Sequence, residues 1–128
     1  MLFRSFLTGA TGYIGGAVLE AAIRGGHQVT ALVRSAAKAR SVEARGAAAV
    51  IGDLADPSSF ATAAAGHAAY VHAGFESSAR RVDVDRVALD ALLEHARGAR
   101  DAVFVYTSGV WVLGNTGGPA DEIGRAHV

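Results

Sequence analysis

The spacing of hydrophobic positions changes several times along the chain, and each change marks an element. Phe3 to Thr8 is a short aromatic and aliphatic run closed by a glycine-rich turn, the pattern of a buried first strand. From Gly12 to Arg24, Ile14, Ala17, Val18, Ala21 and Ala22 recur at helical spacing, and Gly25-Gly26 stops the helix. Gln28 to Val33 predicts a second strand, and Ser35 caps an Ala-, Lys- and Arg-rich helix that ends near Gly46. Ala47 to Ile51 predicts a third strand, closed by Gly52-Asp53. Asp56 as N-cap and Pro57 at the first helical position open another helix, which Gly66 ends. Ala68 to His72 reads as a fourth strand. A long helix follows from about Ser78 to Arg97, with Val82, Val84, Val87, Ala88, Ala91 and Leu92 largely on one side. Ala102 to Tyr106 is a fifth strand, and the Gly-rich remainder, Thr107 to Val128, offers no convincing element after Val110–Leu113.

Strands alternating with helices imply a parallel sheet covered on both faces. Right-handed crossovers make 3-2-1-4-5 the natural strand order, so the expected fold is α/β, a Rossmann-type doubly wound sheet. Residues 1–128 form one domain in this reading, with 114–128 a tail leading toward a substrate-binding part outside the chain. The composition agrees: 128 residues, 51% hydrophobic and 19% charged, can bury one core. A formal net charge of +0 argues against a nucleic-acid binder or a polybasic membrane-surface protein, both of which need surplus Lys and Arg. There is no Cys, hence no disulfide framework and no Cys-based zinc site. No apolar run approaches the roughly 18 residues of a membrane helix, and the N-terminus lacks a signal-peptide stretch, so a cytoplasmic location is expected.

The chemistry is concentrated at Thr8-Gly9-Ala10-Thr11-Gly12-Tyr13-Ile14-Gly15-Gly16, where the first strand meets the first helix. Gly9 can take the backbone angles of a tight turn, Gly12 lets a pyrophosphate approach the main chain, and Gly15 lets the helix pack close on the strand. The helix N-terminus supplies N–H groups and a favourable dipole for the anion. Gly9, Thr11, Gly12, Tyr13, Ile14 and Gly15 are therefore candidate dinucleotide contacts. No Gly-Lys-Ser/Thr follows, which excludes a triphosphatase loop.

The Gly-x-x-Gly-x-x-Gly spacing and the phrase Thr-Gly-Ala-Thr-Gly-Tyr-Ile-Gly resemble the short-chain dehydrogenase/reductase superfamily, in its extended and atypical branches: the NAD-dependent epimerase/dehydratase group and the NmrA-like proteins. The resemblance runs from about Phe3 to Asp121. At the tip of the second strand, where such folds read the adenosine ribose, stands Val33-Arg34-Ser35, with Lys38 and Arg40 close behind. An acid there selects NAD, and an Arg accommodates the 2′-phosphate of NADP. Arg34 therefore predicts NADP over NAD, the alternative being a solvated Arg beside a helix N-terminus. The resemblance implies that Asp53-Leu54 contacts the adenine, while an Asp serving only its own loop is the competing reading. It also implies that Ala73-Gly74, after His72, forms the small-residue turn beneath the nicotinamide ribose. His72 itself reads as a residue packed in the sheet, with no carboxylate at useful spacing in the sequence.

Tyr106-Thr107-Ser108-Gly109 resembles the family phrase that ends in a catalytic Ser or Thr. Ser108 would hydrogen-bond the substrate oxygen and stabilise charge developing there, with Thr107 as the second choice and a turn-forming Ser as the plain alternative. Gly-x-Ser-x-Gly is absent, so this is not a nucleophile elbow. The family's general acid is a Tyr followed four residues later by Lys. Here Tyr13, Tyr70 and Tyr106 are followed by Ala17, Gly74 and Val110, and the single Lys is Lys38. Two explanations stay open: the pair belongs to a C-terminal part not in this chain, or the chain belongs to a branch without it. The corresponding functions are an NADP(H)-dependent oxidoreductase or epimerase acting on a small carbonyl or hydroxyl substrate, and a non-catalytic NAD(P)-sensing protein of the NmrA-like kind.

Glu76, Arg80, Arg81, Asp83, Asp85, Arg86 and Asp90 read as a solvated helix face with i,i+3 and i,i+4 pairs. The apolar side of residues 78–97 is either ordinary core or a homodimer interface, as in many relatives. Asp85 stands where extended relatives often carry Asn. His27, His67, His95 and His127 show no metal-ligand spacing with acids. Trp111 and Tyr106 line the nicotinamide side or simply pack.

Overall fold

The computed structural model describes residues 3–108, Asn115 and 117–119, so the segment at 110–113, Trp111, His127 and most of the tail lie outside the described residues. Strands β1 (Arg4–Thr8), β2 (Gln28–Val33), β3 (Ala48–Ile51), β4 (Ala69–His72) and β5 (Val103–Tyr106) form one sheet in the order β3-β2-β1-β4-β5. Every pair is parallel. Helices α1 (Tyr13–Arg24), α2 (Ala36–Ala44), α3 (Ala61–Ala64) and α4 (Arg81–Gly98) make the crossovers. This is the Rossmann-type α/β fold with the strand order that the alternation of elements predicts.

The period of two along the strands divides the core. Leu7, Val29, Ala31 and Val33 face the layer of α1 and α2, where Leu19, Ala39 and Val42 complete a buried cluster. Phe6, Leu32 and Tyr70 face the other way and pack with Phe60, Ala64 and Leu92. The buried stripe of α4 is narrower than its sequence suggests. Val84, Ala88 and Leu92, spaced by four, are buried, whereas Val82 and Val87 are exposed. Val103 and Val105 of β5 are also exposed, on the face of the strand opposite Phe104, which packs into the cluster that includes Leu92 of α4.

Two local expectations are corrected. The helix predicted from Pro57 to Gly66 is a 3-10 turn over Pro57–Ser59 and then the short α3, with Phe60 between them at φ −131° and buried in the core. Asp56 makes no side-chain cap; its Oδ1 accepts from Ser58 Oγ at 2.6 Å. The long helix begins at Arg81 rather than Ser78, since Ser78 forms a turn of its own. Its Oγ accepts from Arg80 N–H (3.1 Å) and its carbonyl from Arg81 N–H (3.1 Å).

Candidate functional site

The C-terminal ends of the strands open into a cleft of about 490 Å³, within the size range of cofactor pockets. Gly9, Thr11, Gly12, Tyr13, Ile14, Gly15, Arg34, Asp53, Leu54, Ala73 and Gly74 all line it, so the cleft gathers the sequence-predicted contacts from four separate turns. Ser108 is exposed just past β5 and is not among the lining residues.

Steric constraint explains the glycine turn. Gly9 has φ +78°, and a Cβ on it would lie 2.4 Å from Ala73 C and O. A Cβ on Gly15 would lie 1.8 Å from Gly9 O, so α1 packs on the turn at a distance only glycine permits. Gly12 differs, because apart from its chain neighbours a Cβ there would meet Gly9 O alone, at 3.3 Å. The remaining space belongs to the cleft. No side chain caps α1, whose first turn faces that space. Its N–H groups are unpaired within the helix. An open backbone and an uncapped helix N-terminus fit the pyrophosphate of a dinucleotide.

At the other end of the cleft, Arg34 and Lys38 both reach the lining. Ser35 does not join them as a ligand group; its Oγ caps α2 by accepting from Lys38 N–H at 3.2 Å. Asp53 closes its own loop, with Oδ1 accepting from Ala55 N–H at 2.9 Å, while the residue still lines the cleft. Asp53 thus serves its own loop from the wall of the cleft.

Glu76 is the lining residue that sequence reasoning misplaced. Instead of lying on a solvated helix face, its side chain is 10% exposed, and Oε1 lies 3.2 Å from Arg80 Nη2 and 3.9 Å from Arg34 Nη2. Glu76 Oε2 accepts from Ser78 Oγ at 2.5 Å. Its position two residues past Gly74, where α/β sheets place ligands, is the signal that was available.

His72 is likewise corrected. It is packed in the sheet, at 1% exposure, yet it has a carboxylate partner: Nε2 lies 2.8 Å from Asp85 Oδ1. On the other side Nδ1 lies 2.6 Å from Thr8 Oγ1. Tyr106 O–H donates to Asp85 Oδ2 at 2.6 Å. The Asp85 carboxylate beside it, then burial, pushes the Tyr106 phenol above its ordinary range. A spacing of 13 residues across a loop and a helix start gives no sequence signal for the His72–Asp85 pair.

Among the described residues no group of three or more His, Cys, Asp or Glu is placed to hold a metal, and no helix is long and apolar enough to cross a membrane.

The sequence profile of the NAD(P)H-binding family matches residues 9–127, nearly the whole chain. The chain belongs to the NAD(P)H-binding family. A 4-hydroxy-2-methyl-3-oxo-4-farnesyl-3,4-dihydroquinoline-1-oxide ketoreductase of Stigmatella aurantiaca is 33% identical over 129 residues, covering 97% of the chain and 38% of the relative. An uncharacterized protein of Saccharomyces cerevisiae is 37% identical over 116 residues, covering 84% of the chain and again 38% of the relative. The chain thus spans about two fifths of these curated relatives. Among solved structures, an NADPH-dependent quinone oxidoreductase of Escherichia coli in complex with NADPH is similar at 27% identity and a TM-score of 0.66, over 82% of this chain and 36% of that one. The domain is an NAD(P)-binding, reductase-like one.

Proposed function

We propose that this chain is the NADP(H)-binding half of a short-chain dehydrogenase/reductase-like enzyme that reduces a small carbonyl substrate or oxidises the corresponding alcohol. The observation that carries the proposal is the shape of the cleft: an uncapped helix N-terminus at one end, Arg34 and Lys38 at the other, and no acid at the tip of β2. In this reading the α1 N-terminus and Gly12 hold the pyrophosphate. Arg34, with Lys38 beside it, holds the 2′-phosphate, which a planar guanidinium recognises in bidentate fashion. Leu54 and Asp53 flank the adenine, and Ala73-Gly74 floors the nicotinamide ribose. NADPH, when bound, supplies the hydride. Ser108, one strand over, donates a hydrogen bond to the substrate oxygen as charge develops on it.

Two of the three tyrosines have their hydroxyls committed away from Lys38. Tyr70 donates to Ala64 O at 2.7 Å in the core, and Tyr106 donates to Asp85. This arrangement favours one second reading, a cofactor-sensing protein that binds NADP(H) without turnover.

Fluorescence titration with NADPH and, separately, NADH tests the proposal. Preferential NADPH binding supports it, and equal affinity removes the 2′-phosphate role of Arg34. Oxidation of bound NADPH by a panel of ketones and quinones, lost in Ser108→Ala, separates the enzyme from the sensor.

A further inference from the structure

Thr8, His72 and Tyr106 are register neighbours across β1, β4 and β5, and Asp85 of α4 sits over them. Thr8 Oγ1 has one hydrogen and two lone pairs. Both lone pairs are used, accepting from Ala73 N–H at 3.1 Å and Gly74 N–H at 2.9 Å. The hydroxyl hydrogen is left for His72 Nδ1, 2.6 Å away. Nδ1 therefore accepts, and the ring proton sits on Nε2, donated to Asp85 Oδ1 at 2.8 Å. Tyr106 O–H reaches the same carboxylate from the far side, so the donors converge on Asp85.

The head of this row is the floor of the cleft. Thr8 Oγ1 ties down Ala73-Gly74, and that turn touches Gly9 so closely that no Cβ fits between them. Were the ring proton on Nδ1, Thr8 would face a third donor, which would contest its hold on Gly74 N–H and on Ala73 N–H, the latter shared with Thr8's own carbonyl at 3.2 Å.

We propose that His72 is a positioning residue for the dinucleotide: its Nδ1 lone pair aims the Thr8 hydroxyl, which holds the Ala73-Gly74 backbone in place, and Asp85 fixes the ring in the tautomer that allows this. The proposal rests on reading the cleft as the NADP(H) site. His72 itself acts through Thr8, not by touching the cofactor.

Long-range ¹H–¹⁵N NMR on the unmodified protein at neutral pH tests the tautomer. The expected result is Nε2–H with an unprotonated Nδ1, both free and with NADPH, and an Nδ1–H signal overturns the proposal. NADPH titration of variant pairs tests the consequence, with circular dichroism reporting that each is folded. Thr8→Ser keeps the hydroxyl, and Asp85→Asn keeps one acceptor oxygen for His72 Nε2–H while its NH2 faces a Tyr106 oxygen that can turn to accept, so both should bind within about threefold of the parent, whereas Thr8→Val and Asp85→Leu should lose about tenfold, as expected for stranding hydrogen-bonding groups. Folded Thr8→Val binding NADPH like the parent overturns the positioning role. A parent protein that binds neither NADPH nor NADH refutes the underlying reading of the cleft instead, and the tautomer result then stands apart from it.

Discussion

Arg34→Ala is the sharpest perturbation of the cofactor reading, because its effect should fall on one dinucleotide and spare the other. In the structure Arg34 is held loosely. Its side chain is 59% exposed, and Nη2 stands 3.9 Å from Glu76 Oε1. An exposed ion pair of this kind contributes about 0.2–1 kcal/mol, so drawing the guanidinium toward a phosphate costs less than about 1 kcal/mol. A charge-assisted bond to that phosphate returns about 1.5–3 kcal/mol. The difference, about 1–2 kcal/mol, corresponds to NADPH binding about 5–30 times more weakly in the variant. NADH has no 2′-phosphate, and its affinity should change by less than about twofold, the scale of a lost surface contact. Reduced-nicotinamide fluorescence, followed for both proteins with both cofactors, reads these constants directly. Repeating the titration at 1 M salt, where screening acts within about 3 Å, should narrow the gap between parent and variant. Equal weakening of NADPH and NADH, or an unchanged NADPH constant, would refute the reasoning. Glu76→Gln should move NADPH affinity the other way, up by a few-fold, by freeing Arg34 and removing a negative charge from the cleft wall.

Other expectations concern the scaffold. Gly15→Ala puts a Cβ 1.8 Å from Gly9 O, a clash that only backbone movement relieves. It should cost at least about 1–3 kcal/mol in denaturant melts and abolish cofactor binding together with stability. Leu92→Ala, at a 1% exposed site in the α4 core, should cost about 2–5 kcal/mol while the folded fraction keeps its NADPH affinity. His67 sets an acid limit. Burial pushes its pKa below the ordinary range, partly opposed by the Ala64 carbonyl, and Nε2 is buried without a partner. The unfolded chain therefore takes up the proton first, so this contribution is intact above about pH 6.5 and shrinks as the pH falls through the lower folded value. Urea melts from pH 7.5 to 5 should show that slope reduced in His67→Leu; an unchanged slope would assign it to other groups.

Strand and helix order, the sheet topology and the glycine turn were legible in the sequence by itself, and the reason is local. Whether a segment is strand or helix depends on the period of its own apolar positions, and a tight β1–α1 turn needs glycine at Gly9 and Gly15 whatever packs elsewhere. Once the elements alternate, handedness leaves one natural strand order. Helix limits near Ser78 and Phe60 were less legible, because a side-chain turn and a buried ring there override local propensity. What only the tertiary structure decided is which distant charges meet. Glu76 and Asp85 belong to one run of alternating charges, indistinguishable by spacing from a solvated face. The fold turns Glu76 into the cleft beside Arg34 and sets Asp85 over His72, while Asp83 between them stays exposed. The loop from Gly74 to Arg80 fixes where α4 begins and hence its rotation about its axis. A single residue's shift in that start would turn the helix by about 100° and carry Asp85 away from His72.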